Sequence, residues 1–292
     1  LDDKNITPFE RSIILIKIKS EITSIWQTQD VRSKKIQVMD EVKTGLFYLD
    51  HVFYETIGDL HNKFKYAFQN ILPDTFELPA ILMLGSWIGG DRDGHPFVTP
   101  NITKETIILH KKHILELYKN NINELISILS SSEVRTNFSM SFKESIEKDI
   151  LSYESFTIKD AGIKFIKNPV ELFRTKLSII SEKLSQTINN TGNENQEGFF
   201  YKNADEFCQD IKTITEQLNL NNGESIIKSH LEPLLFKIKT FGFYFAKLDI
   251  RQHSEIINKA VYELLLGVDV INDDWENLSS ENKKQIIINE IN

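Results

Sequence analysis

Two short stretches of this 292-residue chain hold most of the residues that could do chemistry. The first, "GSWIGGDRDGHP" at 85–96, packs four glycines, two aspartates and one arginine into twelve positions. The second, "KLDIRQHSE" at 247–255, carries Asp249, Arg251 and Gln252. Arg92 lies between Asp91 and Asp93. A carboxylate can hold its planar guanidinium in one orientation and leave the remaining N–H donors for an anion. Asp249 and Arg251 repeat that arrangement. Gly89, Gly90 and Gly94 permit positive φ and let a ligand or another stretch of backbone come close. The chemistry suggested is recognition of an anionic ligand. The same residues would serve equally as internal ion pairs closing tight turns.

Both stretches end apolar runs, "ILMLGSW" at 81–87 and "FGFYFAKLDIRQ" at 241–252, which read as buried strands. A period of two puts Lys247, Asp249 and Arg251 on one face of the second, with Leu248 and Ile250 on the other. In each run the apolar part precedes the charged part and a helix follows. In a β/α barrel, side chains at the C-terminal strand ends face the active-site mouth while the strand middles are packed core.

The rest of the chain reads as helix. "TPFE" at 7–10 is a capping box with proline at the first helical position, so a helix starts there, with Ile14, Ile18, Ile22 and Ile25 as an apolar stripe beside Trp26. Val38, Val42, Leu46, Leu49, Phe53 and Ile57 make a second stripe, extended by Leu60, Phe64, Phe68 and Ile71 up to Pro73. Both stripes are expected to face a core. "LPDTFELPA" at 72–80 is a loop. Thr99 and Pro100 cap a helix that runs to about Leu129. Helical spacing recurs in 135–153, 170–188, 204–218 and from 253 to Gly267, with a polar, exposed loop at 189–200. The expected fold is mostly α: a helix-rich partial β/α (TIM-type) barrel with about two barrel strands and long helical insertions.

Composition bounds the partners. A formal charge of −8 excludes a generally basic surface for nucleic acid. Cys208 is the only cysteine, so no internal disulfide can form, which suits the cytoplasm. No apolar stretch reaches membrane-spanning length, and no membrane partner is expected. The first residue is not methionine and the last helix pattern is still running at 292, so residues 1–292 are read as a single internal portion of a longer protein, truncated at both ends.

"GSWIGGDRDGHPFVT" resembles the "GSWMGGDRDGNPxVT" signature of phosphoenolpyruvate carboxylases, and "FGFYFAKLDIRQHSE" resembles their "FGLxLxxLDIRQES" segment. "DEVKTGLFYLDHVFYETI" and "ELFRTKLSIISEKL" follow the same family's layout. The resemblance implies an enzyme that joins bicarbonate to phosphoenolpyruvate, giving oxaloacetate and inorganic phosphate. Its chemistry passes through carboxyphosphate and an enolate that captures carbon dioxide, with Mg2+ or Mn2+ and without biotin. It implies substrate binding by Arg251 of "DIRQ" and by Arg92, with Asp91, Asp93, Gly89, Gly90, Gly94, Asp249 and Gln252 in support. It also implies a homotetramer under allosteric control. The family's "TAHPTE" histidine, its catalytic lysine, its acidic metal ligands and its "GRGGxxxRGG" loop have no match here. No catalytic or metal residue is therefore expected in this span, and the span alone should be inactive. His95 stands where the family has asparagine, and His253 where it has glutamate.

Asp91 and Asp93 also have the spacing of the metal-binding Asp-x-Asp of a nucleotide-sugar glycosyltransferase. A helical scaffold for another protein, its glycines merely turning the chain, is a further alternative. His110 and His113, at i and i+3, are read as solvated or capping rather than as metal ligands. Phe199, Phe200 and Tyr201 are read as core anchors, and Cys208 as an inert core thiol.

Overall fold

The computed structural model describes residues 6–27, 36–68, 71, 79–129, 136–156, 171–193, 197–271 and 275–291. The chain forms two compact units, Leu1–Gln37 and Val38–Asn292. In the first, α1 (Pro8–Gln27) starts where the capping box puts it. The Thr7 N–H donates to the Glu10 carboxylate at 2.9 Å, and the Glu10 N–H donates back to the Thr7 hydroxyl at 3.3 Å. The core-facing expectation for this helix is overturned, because none of its residues is buried. α1 is the one element described in its unit, and Ile18, Ile22, Ile25 and Trp26 on it are exposed.

The second unit is mostly helical. α2 (Val38–Tyr48) runs through a π-helical turn (Leu49–Tyr54) into α3 (Glu55–Phe68). A π turn holds an extra residue, so it rotates everything after it by about 100° relative to an α pattern. Val42, Leu46 and Leu49 are buried as the spacing requires, but the next buried residue is Tyr54 rather than Phe53, which is 44% exposed. Ile57 and His61 then continue the buried face.

After the strand β1 (Gly85–Ser86), Thr99 caps α4 (Pro100–Ile128), accepting from the Ile102 N–H at 3.3 Å, with Pro100 at the first helical position. α5 (Met140–Phe156), α6 (Leu172–Asn190) and α7 (Ala204–Asn219) follow. The short α8 (Glu224–Ile226) leads through a second π turn into α9 (Glu232–Phe241). The strand β2 (Lys247–Leu248) precedes α10 (Ser254–Gly267) and α11 (Ser280–Ile291). α4 is the spine. Its Ile114, Leu115, Tyr118 and Ile122 are fully buried against a core shared with Phe173, Leu177 and Ile180 of α6 and Phe207 and Ile211 of α7. A second, small cluster joins Leu265, Ile271 and Trp275. No described helix is long and apolar enough to cross a membrane.

The strands are shorter than their sequence patterns. β1 and β2 are parallel neighbours, with Gly85 opposite Lys247 and Ser86 opposite Leu248. Residues 79–84 belong to no regular element, although the Leu84 carbonyl accepts from the Lys247 N–H at 2.8 Å, while Phe241 ends α9 and 242–246 form turns and bends instead of strand. Ile81 and Met83, expected in a strand core, are 46% and 74% exposed, because two strands cover only each other's edges. Most of the loop expected at 72–80 lies outside the described residues, as do positions 194–196 of the loop expected at 189–200.

Candidate functional site at the strand ends

The ladder continues past the two strands as one further parallel bridge, Asp91 opposite Arg251. The Arg251 N–H donates to the Gly90 carbonyl at 3.1 Å, and the Arg92 N–H donates to the Arg251 carbonyl at 2.9 Å. The two charged stretches, about 160 residues apart in sequence, thus lie side by side at one edge. Gly90 permits this approach: a Cβ there would sit 2.3 Å from the Asp249 carbonyl oxygen. Gly89 adopts φ +85°, and a Cβ on it would meet the Thr106 hydroxyl at 2.3 Å. Both glycines serve contacts within the protein. Gly94, at φ +73°, has nothing within 4 Å of where its Cβ would lie.

The expected pairing of charges is overturned in detail. Arg92 is not held by its flanking aspartates. Its Nη2 donates to the Thr103 hydroxyl at 3.1 Å, and Thr103 in turn donates to the Gly89 carbonyl at 2.9 Å. Asp91 instead faces Arg251, Oδ2 to Nη1 at 4.0 Å, while its Oδ1 accepts from the Asp93 N–H at 3.2 Å. Alternation along an extended chain explains the exchange, since neighbours 91 and 92 point to opposite sides and the cross-strand residue becomes the nearer partner. Asp249 likewise does not hold Arg251. The Arg251 guanidinium lies 5.6 Å from the Trp87 ring centre, an orienting contact that charge-based reading misses although Trp87 sits inside the first motif. Arg251 remains 55% exposed.

The remaining motif residues are turned inward on themselves. The Gln252 side-chain oxygen accepts from the His253 N–H at 2.9 Å. His253 precedes α10 without a side-chain capping bond and lies 3.9 Å from the Glu255 carboxylate. His95 sits edge-on to Phe97, ring centres 5.9 Å apart.

α4 grips both sides of this edge. Thr103 and Thr106 pack on the turn that follows β1, while the Tyr118 hydroxyl donates to the Gly242 carbonyl at 2.8 Å, in the turn before β2. His113 stacks on Phe245, ring centres 5.9 Å apart and planes 15° apart, and reaches the Asp50 carboxylate at 2.9 Å. His110 is buried behind β1, facing a cavity of about 160 Å³ lined also by Val42, Leu49, Phe53 and Ile88. Burial, then the neighbouring His113, push its pKa down to about 4. The solvated-or-capping reading of these two histidines is therefore replaced: one is buried, the other is paired to an acid.

A second charged cluster escaped sequence reading entirely. The Lys176 ammonium donates to Asp149 at 2.6 Å and Asp210 at 2.8 Å. Lys183 donates to the same two acids at 2.8 and 3.4 Å, and the Tyr201 hydroxyl donates to Asp210 at 2.7 Å. Burial alone would lower the Lys176 pKa, but Asp210 and Asp149 outweigh it and raise it. Burial alone would raise the Asp210 pKa, but Lys176 and Lys183 hold it down. Phe199 and Tyr201 are buried as expected and Phe200 partly so, Tyr201 with this added polar contact. Cys208 is half-buried against the core.

Among the described residues no group of three or more His, Cys, Asp or Glu could hold a metal ion. What the strand-end edge offers chemically is two guanidinium groups on neighbouring strand ends, Arg251 on the side shared with Asp91 and Arg92 on the side of Thr103, each with donors suited to an anion's oxygens.

A family model described as phosphoenolpyruvate carboxylase matches residues 1–292. The phosphoenolpyruvate carboxylase of Roseiflexus castenholzii is 30% identical over 275 residues, covering 91% of this chain and 29% of its own length. That of Nostoc sp. (strain PCC 7120) is 31% identical over 288 residues, covering 94% of this chain and 27% of its own length. That of Prochlorococcus marinus (strain MIT 9312) is 29% identical over 308 residues, covering 98% and 30%. The chain thus spans under a third of the length of these curated relatives. Neither the glycosyltransferase nor the scaffold alternative is favoured by these matches. With both charged signatures side by side and the family match running from first residue to last, the chain belongs to the phosphoenolpyruvate carboxylase family.

Proposed function

We propose that these 292 residues are the part of a phosphoenolpyruvate carboxylase that brings two arginines to the substrate phosphate. The parallel bridge between Asp91 and Arg251 carries this reading, because it places Arg92 and Arg251 on neighbouring strand ends. β1 and β2 are on this view adjacent strands of a β/α barrel, and their C-terminal ends form part of its mouth. The enzyme joins bicarbonate to phosphoenolpyruvate and releases oxaloacetate and inorganic phosphate.

Phosphoryl transfer to bicarbonate spreads negative charge over the equatorial phosphoryl oxygens, and fixed cationic donors are the protein's main means of stabilising it. Arg251 presents an exposed guanidinium steadied by Trp87 and Asp91. Arg92 presents a half-buried guanidinium steadied by Thr103. The divalent metal of the family's chemistry has no seat among the described residues. On the same reading the working enzyme uses Mg2+ or Mn2+ and no biotin, assembles as a homotetramer, responds to allosteric effectors and works in the cytoplasm. The 292 residues alone, lacking a match to the family's catalytic histidine and lysine motifs, are inactive.

In the full-length protein, Arg251→Ala with an unchanged circular dichroism spectrum is expected to lower kcat/KM for phosphoenolpyruvate on the order of 100-fold, as loss of one preorganised donor does elsewhere. An undiminished kcat/KM refutes the phosphate role.

A further inference from the structure

We infer that Thr103 is a positioning residue for Arg92, an inference that rests on Arg92 facing the anionic substrate. Thr103 lies in the first turn of α4, 4% exposed, so solvent does not compete for its hydroxyl. A hydroxyl has one proton and two lone pairs. The proton is taken by the Gly89 carbonyl at 2.9 Å, with the Thr99 carbonyl farther off at 3.3 Å. A lone pair is thereby turned toward the Arg92 Nη2, 3.1 Å away. The bonds form a directed chain from guanidinium to hydroxyl to carbonyl, in which the hydroxyl can only accept from Arg92.

The far end of that chain is itself immobile. Gly89 is pressed against Thr106 so closely that no Cβ fits, and Thr106 is tied to its own helix through the Ile102 carbonyl at 2.8 Å. Arg92 therefore takes its orientation from the first turn of α4. Thr103 holds one corner of the guanidinium, and among the described residues no other side chain bonds it. A guanidinium fixed at one corner keeps its remaining Nη donors for a ligand, and it need not be reoriented as charge develops.

The test uses the full-length enzyme and steady-state kinetics with phosphoenolpyruvate. Thr103→Val keeps the shape and deletes the acceptor. It is expected to lower kcat/KM roughly tenfold to a hundredfold, the scale of a misplaced catalytic group. Thr103→Ser keeps the hydroxyl and is expected to restore most of the loss. The readout that separates positioning from plain structure is the double-mutant cycle: on an Arg92→Ala background, Thr103→Val should cost nothing further. If Thr103→Val matches wild type while Arg92→Ala is impaired, or if it adds its full cost to Arg92→Ala, Thr103 does not act through Arg92 and the inference is overturned. If Arg92→Ala is as active as wild type, or the unaltered enzyme forms no oxaloacetate, the functional reading of Arg92 falls and this inference falls with it.

Discussion

The two charged clusters of this molecule solve opposite problems. In the helical body, Lys176 is 1% exposed and both of its acids are shared with Lys183, so charge closes on itself. At the strand ends, Arg251 is 55% exposed with its carboxylate partner at 4.0 Å, and Arg92 spends one bond on a neutral hydroxyl. Neutralised charge is part of the framework, whereas charge left open is available to something that binds. His110 shows a third solution, in which burial, with a second histidine beside it, favours the neutral form of a basic group.

The largest effect is expected in the closed cluster. Lys176→Met should leave Lys183 as the one lysine of the cluster beside Asp149 and Asp210 and cost about 3–5 kcal/mol of stability, the range for breaking a buried pair. The urea unfolding midpoint followed by circular dichroism measures it, and a loss under about 1 kcal/mol would mean that the cluster is not a closed unit. Its pH signs follow from its members. Asp210, held below its unfolded value, contributes above the ordinary carboxylate pKa and loses that contribution as pH falls through its lowered pKa. Lys176, held above its unfolded value, contributes below the ordinary lysine pKa and loses that contribution as pH rises through its raised one.

Next comes His110, whose folded pKa of about 4 lies below the unfolded value. Between the two the unfolded chain binds the proton and the folded chain does not, so stability is complete above the unfolded pKa and falls as pH drops toward 4. The whole change is about 3 kcal/mol. Comparing urea midpoints at pH 7 and pH 5 should reveal it, and His110→Leu should flatten the difference. A wild-type midpoint that does not fall between those pH values would show that His110 is not buried neutral.

The smallest effect separates the open cluster from the closed one. Arg251→Ala, so costly for catalysis on the proposed reading, should move the urea midpoint by no more than about 0.5 kcal/mol, as surface substitutions do. A loss comparable to that of Lys176→Met would make Arg251 framework rather than binding group.

Local signals were legible in the sequence and distant ones were not. The capping residues Thr7 and Thr99 are readable because their partners lie three residues away. The side-by-side placement of Asp91 and Arg251 was within reach because both stretches share an apolar-then-charged order. Phe53 was assigned to the core and Tyr54 overlooked because a period of 3.6 carries no mark of the π turn that shifts the register. Asp149, Lys176, Lys183 and Asp210 come from three helices, and no spacing rule links positions so far apart. Thr103 was missed for another reason: a search for charge passes over a neutral residue eleven positions downstream of the arginine that it holds.

α4 touches the turn after one strand with Thr103 and the turn before the other with Tyr118, residues about 22 Å apart along a helix rising 1.5 Å per residue. A rod fixed at two such points is a lever. Pivoting it by about 5° around its midpoint carries each end through about 1 Å, the displacement at which a misplaced catalytic group can lose about 100-fold in rate. Anything that tilts α4 about that midpoint thus shifts the turn after β1 and the turn before β2 together.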